Sequence, residues 1–239
     1  MRTFLLPLFI LFILNSFSQD TIHQVKITHL YDNFYVHTSF KLFNNVSFPS
    51  NGLIVITKKG AILIDTPWDE SQTFQLVDSL ELLFHKKIIL CIVTHSHDDR
   101  TAGLEVLKKK GVKTYSSKLT HEISIENNEK IADSFFSKDT VFNIDSLILE
   151  TYFPGKGHTK DNIVIWFPKS KILFGGCAIK SIESKGLGNI NDANLIEWPK
   201  SIQKIINKYP EIKYIIPGHM SWSSNHALTH TLLLLNNHQ

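Results

Sequence analysis

One stretch of this chain leaves little freedom in how it can fold. Ile88-Ile89-Leu90-Cys91-Ile92-Val93 is an unbroken apolar run that reads as a fully buried strand, and it leads straight into Thr94-His95-Ser96-His97-Asp98-Asp99-Arg100. His95, His97 and Asp99 alternate along the chain, and in extended backbone that spacing sends all three side chains to one side. Two imidazoles and a carboxylate at the end of a buried strand are costly to desolvate unless something binds them. The set suits divalent zinc, so the rest of the chain is expected to supply further ligands.

Three more strand ends do so. His158 sits in Gly155-Lys156-Gly157-His158-Thr159, after the alternating run that closes at Phe153. Cys177 ends Ile172-Leu173-Phe174-Gly175-Gly176, and His219 ends Tyr214-Ile215-Ile216-Pro217-Gly218. A single histidine after a strand carries little weight. Four such placements, three with glycine beside the ligand, predict one metal centre.

The chain has 239 residues, enough for one large domain with a substantial core. Its formal charge is +3, and the lysines are scattered rather than gathered into a stripe, which excludes a nucleic-acid surface. Residues 1–18 read as a secretory signal peptide: Arg2, then an apolar stretch from Phe4 to Leu14, then Asn15-Ser16-Phe17-Ser18. That stretch is too short to span a bilayer, which takes about 20 residues. Residues 19–239 are then a single exported domain with no membrane insertion. The expected compartment is the periplasm where the host has one, and the expected state is a monomer. Of the two cysteines, Cys91 lies inside the buried strand and Cys177 serves better as a metal thiolate, so no disulfide is expected.

Strands are expected near residues 25–30, 34–38, 53–57, 61–65, 88–93 and 113–116, with helices over 71–84, 103–110 and 119–127. Phe74, Val77, Leu80 and Phe84 are placed on the apolar face of the first helix. The second half has strands near 141–144, 147–153, 163–167, 171–174 and 214–217, and helices over 196–208 and 225–236. Residues 39–49 read as an apolar loop and 130–139 carry only a weak pattern. Strands then helices, twice over, indicate two sheets packed together with helices outside.

Taken together the segments resemble the metallo-β-lactamases, specifically the di-zinc subclass with a three-histidine site and an Asp-Cys-His site. The matching segments are Leu63-Ile64-Asp65-Thr66-Pro67-Trp68, Thr94 to Arg100, Pro154 to Asn162, Phe174 to Lys180, Gly186 to Asn194 and Pro217-Gly218-His219. The resemblance implies an α/β fold, the αββα sandwich of two mixed sheets face to face. It implies two Zn2+ ions per chain, one on His95, His97 and His158, the other on Asp99, Cys177 and His219. It implies hydrolysis of a small-molecule β-lactam, carbapenems included, by a zinc-bound hydroxide, and hence antibiotic resistance. Asp99 would help orient the nucleophile, Lys180 would receive the substrate carboxylate, and Asn189 would donate to the lactam carbonyl.

Relatives of the thioesterase type carry histidine where this chain has Arg100, which stays protonated and cannot ligate. Cys177 likewise departs from the bridging aspartate of those relatives. Hydrolysis of thioesters, lactones or phosphodiesters is therefore the rival reading, and zinc binding without catalysis is a third. Asp65 is read as orienting a ligand or the motif backbone, or else as a turn residue. Arg100 is expected beneath the second ion with Asp65 or Asp98 as partner. Thr159, Asp161 and Asn162 would shape the turn that carries His158. Phe43, Val46 and Phe48 would cover substrate, Phe40 would pack under the hairpin, and Trp68 is either core or pocket wall. The remaining histidines, His37 among them, are read as surface or core.

Overall fold

Alternation along the strands decides the architecture. Ile62 and Ile64 join one apolar cluster while Ala61 and Leu63, between and beside them, join another, so a single strand feeds two layers. The computed structural model describes residues 24–238, and the segment read as a signal peptide lies outside the described residues.

The first sheet contains β1 (Lys26–Tyr31), β2 (Phe34–Phe43), β3 (Val46–Ile56), β4 (Ala61–Ile64), β5 (Ile88–Ile92), β6 (Lys113–Ser117) and β7 (Ser134–Phe136), in that spatial order. It is antiparallel from β1 to β4 and parallel from β4 to β7. The second sheet contains β8 (Val141–Ile144), β9 (Leu147–Tyr152), β10 (Val164–Phe167), β11 (Ile172–Gly176) and β12 (Tyr214–Pro217), ordered β12-β11-β10-β9-β8. Only β11 and β12 are parallel there.

Between the sheets pack Phe34, Leu53, Ile64, Ile92, Ile165, Phe167 and Phe174. Helices α1 (Glu70–Phe84), α2 (Asp98–Thr101), α3 (Leu104–Lys109) and α4 (Lys118–Glu126) belong to the first half, and Leu76, Leu80, Leu104 and Leu107 of α1 and α3 cover its outer face. Helices α5 (Trp198–Lys208) and α6 (Ala227–Asn236) cover the second sheet through Trp198, Ile202, Leu228 and Leu235. This is the αββα sandwich. Each buried aliphatic side chain contributes about 1.5–3 kcal/mol, against about 0–1 kcal/mol for a surface ion pair, so the three apolar layers carry the stability.

Three expectations change. The stretch 39–49 is not a loop: β2 and β3 pair without interruption from Phe34↔Val55 to Phe43↔Val46. Asn44 and Asn45 turn the hairpin with φ of 49° and 63°, values that asparagine tolerates and that suit a tight hairpin turn. On α1, Phe74 is exposed, and the buried face is Gln72, Thr73, Leu76, Val77 and Leu80. Gln72 is buried because its side chain bonds the backbone of Phe40, accepting from its N at 2.7 Å and donating to its O at 2.8 Å. Finally, the weak stretch 130–139 holds the short edge strand β7, too brief and too polar at its flanks to register as a period.

The topology gathers the loops that follow β4, β5, β9, β11 and β12 at one rim of the sandwich. Parallel pairing brings the ends of β4 and β5 together, and those of β11 and β12; antiparallel pairing returns the end of β9 to the same side. The sheets are joined there by backbone bonds, Ile163 N to Thr94 O at 3.0 Å and Asn51 N to Gly218 O at 2.8 Å. Among the described residues no helix is long and apolar enough to cross a membrane.

Candidate metal centre

The six donor side chains foreseen from the sequence meet at this rim. Donor atoms of Asp99, Cys177 and His219 lie within 4.8 Å of one another, as do those of His95, His97 and Asp99 and those of His95, His158 and Cys177. The rings of His95, His97 and His158 stand with centroids 4.9, 5.3 and 5.2 Å apart, each nearly perpendicular to the others. The groups interlock because His95, Asp99 and Cys177 each belong to two of them.

Hydrogen bonds fix which nitrogen is left as a lone pair on His219 and on His97. His219 Nδ1 lies 2.7 Å from Pro49 O, and since a carbonyl only accepts, Nδ1 carries the proton and Nε2 is free. That Nε2 lies 3.2 Å from Cys177 Sγ and 3.3 Å from Asp99 Oδ2. His97 Nε2 meets Asp192 Oδ2 at 2.9 Å, so Nε2–H donates and Nδ1 is the ligand atom. Asp192 lies within the segment Gly186 to Asn194, and nothing local in Asn191-Asp192-Ala193 ties it to a histidine 95 residues away. His95 Nε2 is buried with no hydrogen-bond partner.

Burial lowers His95 and His158 well below the usual imidazole range and lowers His219 as well, so the rings are neutral. Burial pushes the Asp99 carboxyl up, but the Arg100 guanidinium and His219 overcome it and hold the group ionised. Burial also raises the Cys177 thiol far above its ordinary value, against the pull of Arg100. Neutral imidazoles, an ionised carboxylate and a thiol that becomes thiolate only on binding are the donor chemistry of zinc. With the orphaned His95 nitrogen, the residues fit that ion.

Arg100 is wholly buried and organises the set. Its Nη2 donates to Asp99 Oδ2 at 2.7 Å, Gly218 O at 2.9 Å and Cys177 Sγ at 3.1 Å; Nη1 donates to Asn51 O at 2.6 Å and Asp65 Oδ2 at 3.2 Å. Of its two foreseen partners, then, Asp65 is the one. Asp98 turns outward to Lys41 Nζ, 2.7 Å away. The Asp65 carboxylate also accepts from Thr94 N at 2.7 Å and Thr94 Oγ1 at 2.9 Å, which fixes the backbone entering the motif. Gly218 is required by close approach, since a Cβ there would lie 2.7 Å from both Cys177 N and Sγ. Around His158, Asn162 Oδ1 accepts from Thr159 N at 3.0 Å and Asp161 Oδ2 from Ser96 N at 2.9 Å, so these residues shape the turn.

Lys180 is buried beside the set. Its ammonium lies 5.2 Å from the Trp198 ring centroid and makes no ion pair among the described residues. Asn189 is exposed, and its Oδ1 accepts from Asn191 N at 3.1 Å; the turn chemistry of a Gly-Asn pair is what it performs here. Trp68 is both core and wall: it is buried, yet its ring stands 5.6 Å from His219, 5.6 Å from Phe43 and 6.0 Å from Phe48. Cys91 and Cys177 are both buried and free.

Residues 46–219 match the family model described as the metallo-beta-lactamase superfamily. A "Metallo-beta-lactamase type 2" of Elizabethkingia meningoseptica is 42% identical over 226 residues, covering 95% of this chain and 90% of that protein. A protein of the same name from Bacillus cereus is 40% identical over 211 residues, covering 88% and 82% respectively. The solved structure of a metallo-beta-lactamase from Pontibacter korlensis superposes with a TM-score of 0.87 at 42% identity, covering 90% of this chain and all of that one.

Proposed function

Because the chain belongs to the metallo-beta-lactamase superfamily, we propose that it is an exported zinc β-lactamase that hydrolyses the amide of β-lactam antibiotics, carbapenems among them. We assign His95, His97 and His158 to one ion and Asp99, Cys177 and His219 to a second. One observation carries the reading: six lone-pair donors from four separate loops converge in interlocking groups at the seam of the sheets. Each set leaves coordination positions open, which marks a catalytic site. Bound there, zinc supplies Lewis-acid chemistry that acidifies water and draws off negative charge from an amide oxygen and nitrogen.

The chain's own residues bind and orient. Asp99 stays ionised under the influence of Arg100, so it accepts a hydrogen bond from an attacking water as well as serving as donor. Lys180 is a desolvated cation without a carboxylate partner among the described residues, suited to the carboxylate that β-lactams carry beside the scissile amide. Asn189 Oδ1 is committed to its turn, so its amide nitrogen is the atom left to donate to the lactam carbonyl. Phe43, Phe48 and Trp68 offer an apolar wall next to His219 for the substituents of the antibiotic. The protein acts as a monomer in the periplasm.

The test is imipenem hydrolysis by the purified mature protein, before and after EDTA, with zinc then restored. Hydrolysis abolished by the chelator and recovered with zinc is the expected result. Failure of the zinc-loaded protein to hydrolyse imipenem, nitrocefin or benzylpenicillin overturns the reading in favour of another hydrolase of the same fold, with thioesters next in line.

A further inference from the structure

One wholly buried titratable side chain has no part in the chemistry above. His37 lies midway along β2, two strands away from the rim loop that follows β4. Its Nε2 is 3.1 Å from Asp65 O, and because a carbonyl only accepts, Nε2 carries the proton and donates. Nδ1 is then a bare lone pair, and it is buried without a partner. Burial, with Arg100 nearby, keeps the ring neutral and pulls its pKa down to about 4. A core ring satisfied at one nitrogen only is a costly way to fill space, which draws attention to the one bond its other nitrogen makes.

The intervening strand is built around this ring. Gly52 on β3 stands directly opposite His37, and a Cβ there would lie 2.0 Å from His37 Nε2 and 2.6 Å from Ile64 O. The missing side chain opens a gap through which a β2 residue reaches the backbone beyond β4. What it reaches is unusual: Asp65 has φ of 61°, the left-handed region that a non-glycine residue enters only when held. In that conformation its carbonyl faces His37 while its carboxylate faces Thr94 and Arg100.

We propose that His37 is a positioning residue for the Asp99–Cys177–His219 donor set. Donating through the Gly52 gap, it holds the Asp65 backbone, and Asp65 in turn anchors the guanidinium that spaces Asp99 and Cys177. The inference rests on reading those three donors as one metal site.

The experiment titrates cobalt(II) into metal-free protein and follows the thiolate-to-cobalt charge-transfer absorption, which reports Cys177. In His37→Leu the ion at that site is expected to bind about tenfold more weakly, at the low end for residues behind metal ligands. Thermal unfolding of the metal-free His37→Leu protein is expected close to the wild-type midpoint, because the orphan nitrogen goes while Asp65 O loses its donor. His37→Gln, which keeps a side-chain N–H donor, is expected to recover most of the binding. Gly52→Ala, which keeps the histidine but drives its ring out of the gap, is expected to weaken it like His37→Leu. Wild-type binding in both His37→Leu and Gly52→Ala overturns the proposal, as does His37→Gln binding no better than His37→Leu. Loss of folding in all three variants assigns His37 to packing and overturns it too. A wild-type protein with no thiolate band overturns the metal-site reading itself, and this inference with it.

Discussion

Arg100 is the residue on which the site's electrostatics turn. A guanidinium with no solvent contact is tolerable only because two carboxylates, a thiol and two carbonyls surround it. Removing it leaves Asp65 and Asp99 buried without their cation. Arg100→Ala is therefore expected to cost about 3–5 kcal/mol of stability in the metal-free protein, read by denaturant unfolding. The sequence excluded Arg100 as a ligand and brought Asp65 and Asp98 forward as partners, but could not choose between them. The choice depends on the short helix Asp98–Thr101, where neighbouring residues point in different directions, and on an Asp65 backbone in the left-handed region. Neither leaves a mark in composition or spacing. The partnership of Asp192 with His97 is hidden for the same kind of reason, since it is purely tertiary.

At the scale of the element, the hairpin β2–β3 is where reading and structure diverge most. Phe40, Phe43, Phe48 and Pro49 made it look like an apolar loop, whereas the strands pair fully up to the Asn44-Asn45 turn. Strand alternation is masked there because both faces near the tip are partly exposed, so no inside-outside contrast survives in the sequence. The tip is fastened to the motif by Lys41, which pairs with Asp98 and lies 5.7 Å from the centre of the Trp68 ring. Phe43 is half exposed, so Phe43→Ala is expected to leave the unfolding free energy within about 0.5 kcal/mol of wild type. The same change is expected to raise KM several-fold for β-lactams with bulky apolar substituents, with a smaller effect on kcat. Steady-state kinetics across a substrate series checks this.

For the whole molecule, both sheets, most strands and the six side chains that converge at the rim were legible, because buried strands ending in His, Asp or Cys beside glycines announce themselves locally. Less visible was how the halves bond to each other at the rim. The assembled rim also sets the response to acid. His37, His95, His158 and His219 are neutral when folded but take up protons at an ordinary pKa of 6.5 when unfolded. Below that pH the unfolded chain binds more protons and stability falls, by roughly 1.4 kcal/mol per pH unit for each proton of difference. Asp65 opposes this: burial raises its pKa to about 6 from 3.8, so between those values the folded state holds the extra proton. Four groups outweigh one. The metal-free protein is expected to lose stability steadily as pH drops from 6.5 toward 4, and calorimetry across that range measures it.

The division of the donors between the two sheets has a further consequence. All strands of the first sheet precede residue 137, and all strands of the second follow residue 140. His95, His97 and Asp99 belong to the first stretch, and His158, Cys177 and His219 to the second. The site is thus a logical conjunction. A fragment carrying either stretch alone owns three donors and only some of Arg100's five partners, while the assembled pair owns the whole. Cut between β7 and β8, the chain is expected to act as a two-part lock, the thiolate-to-cobalt band appearing only when both halves are mixed.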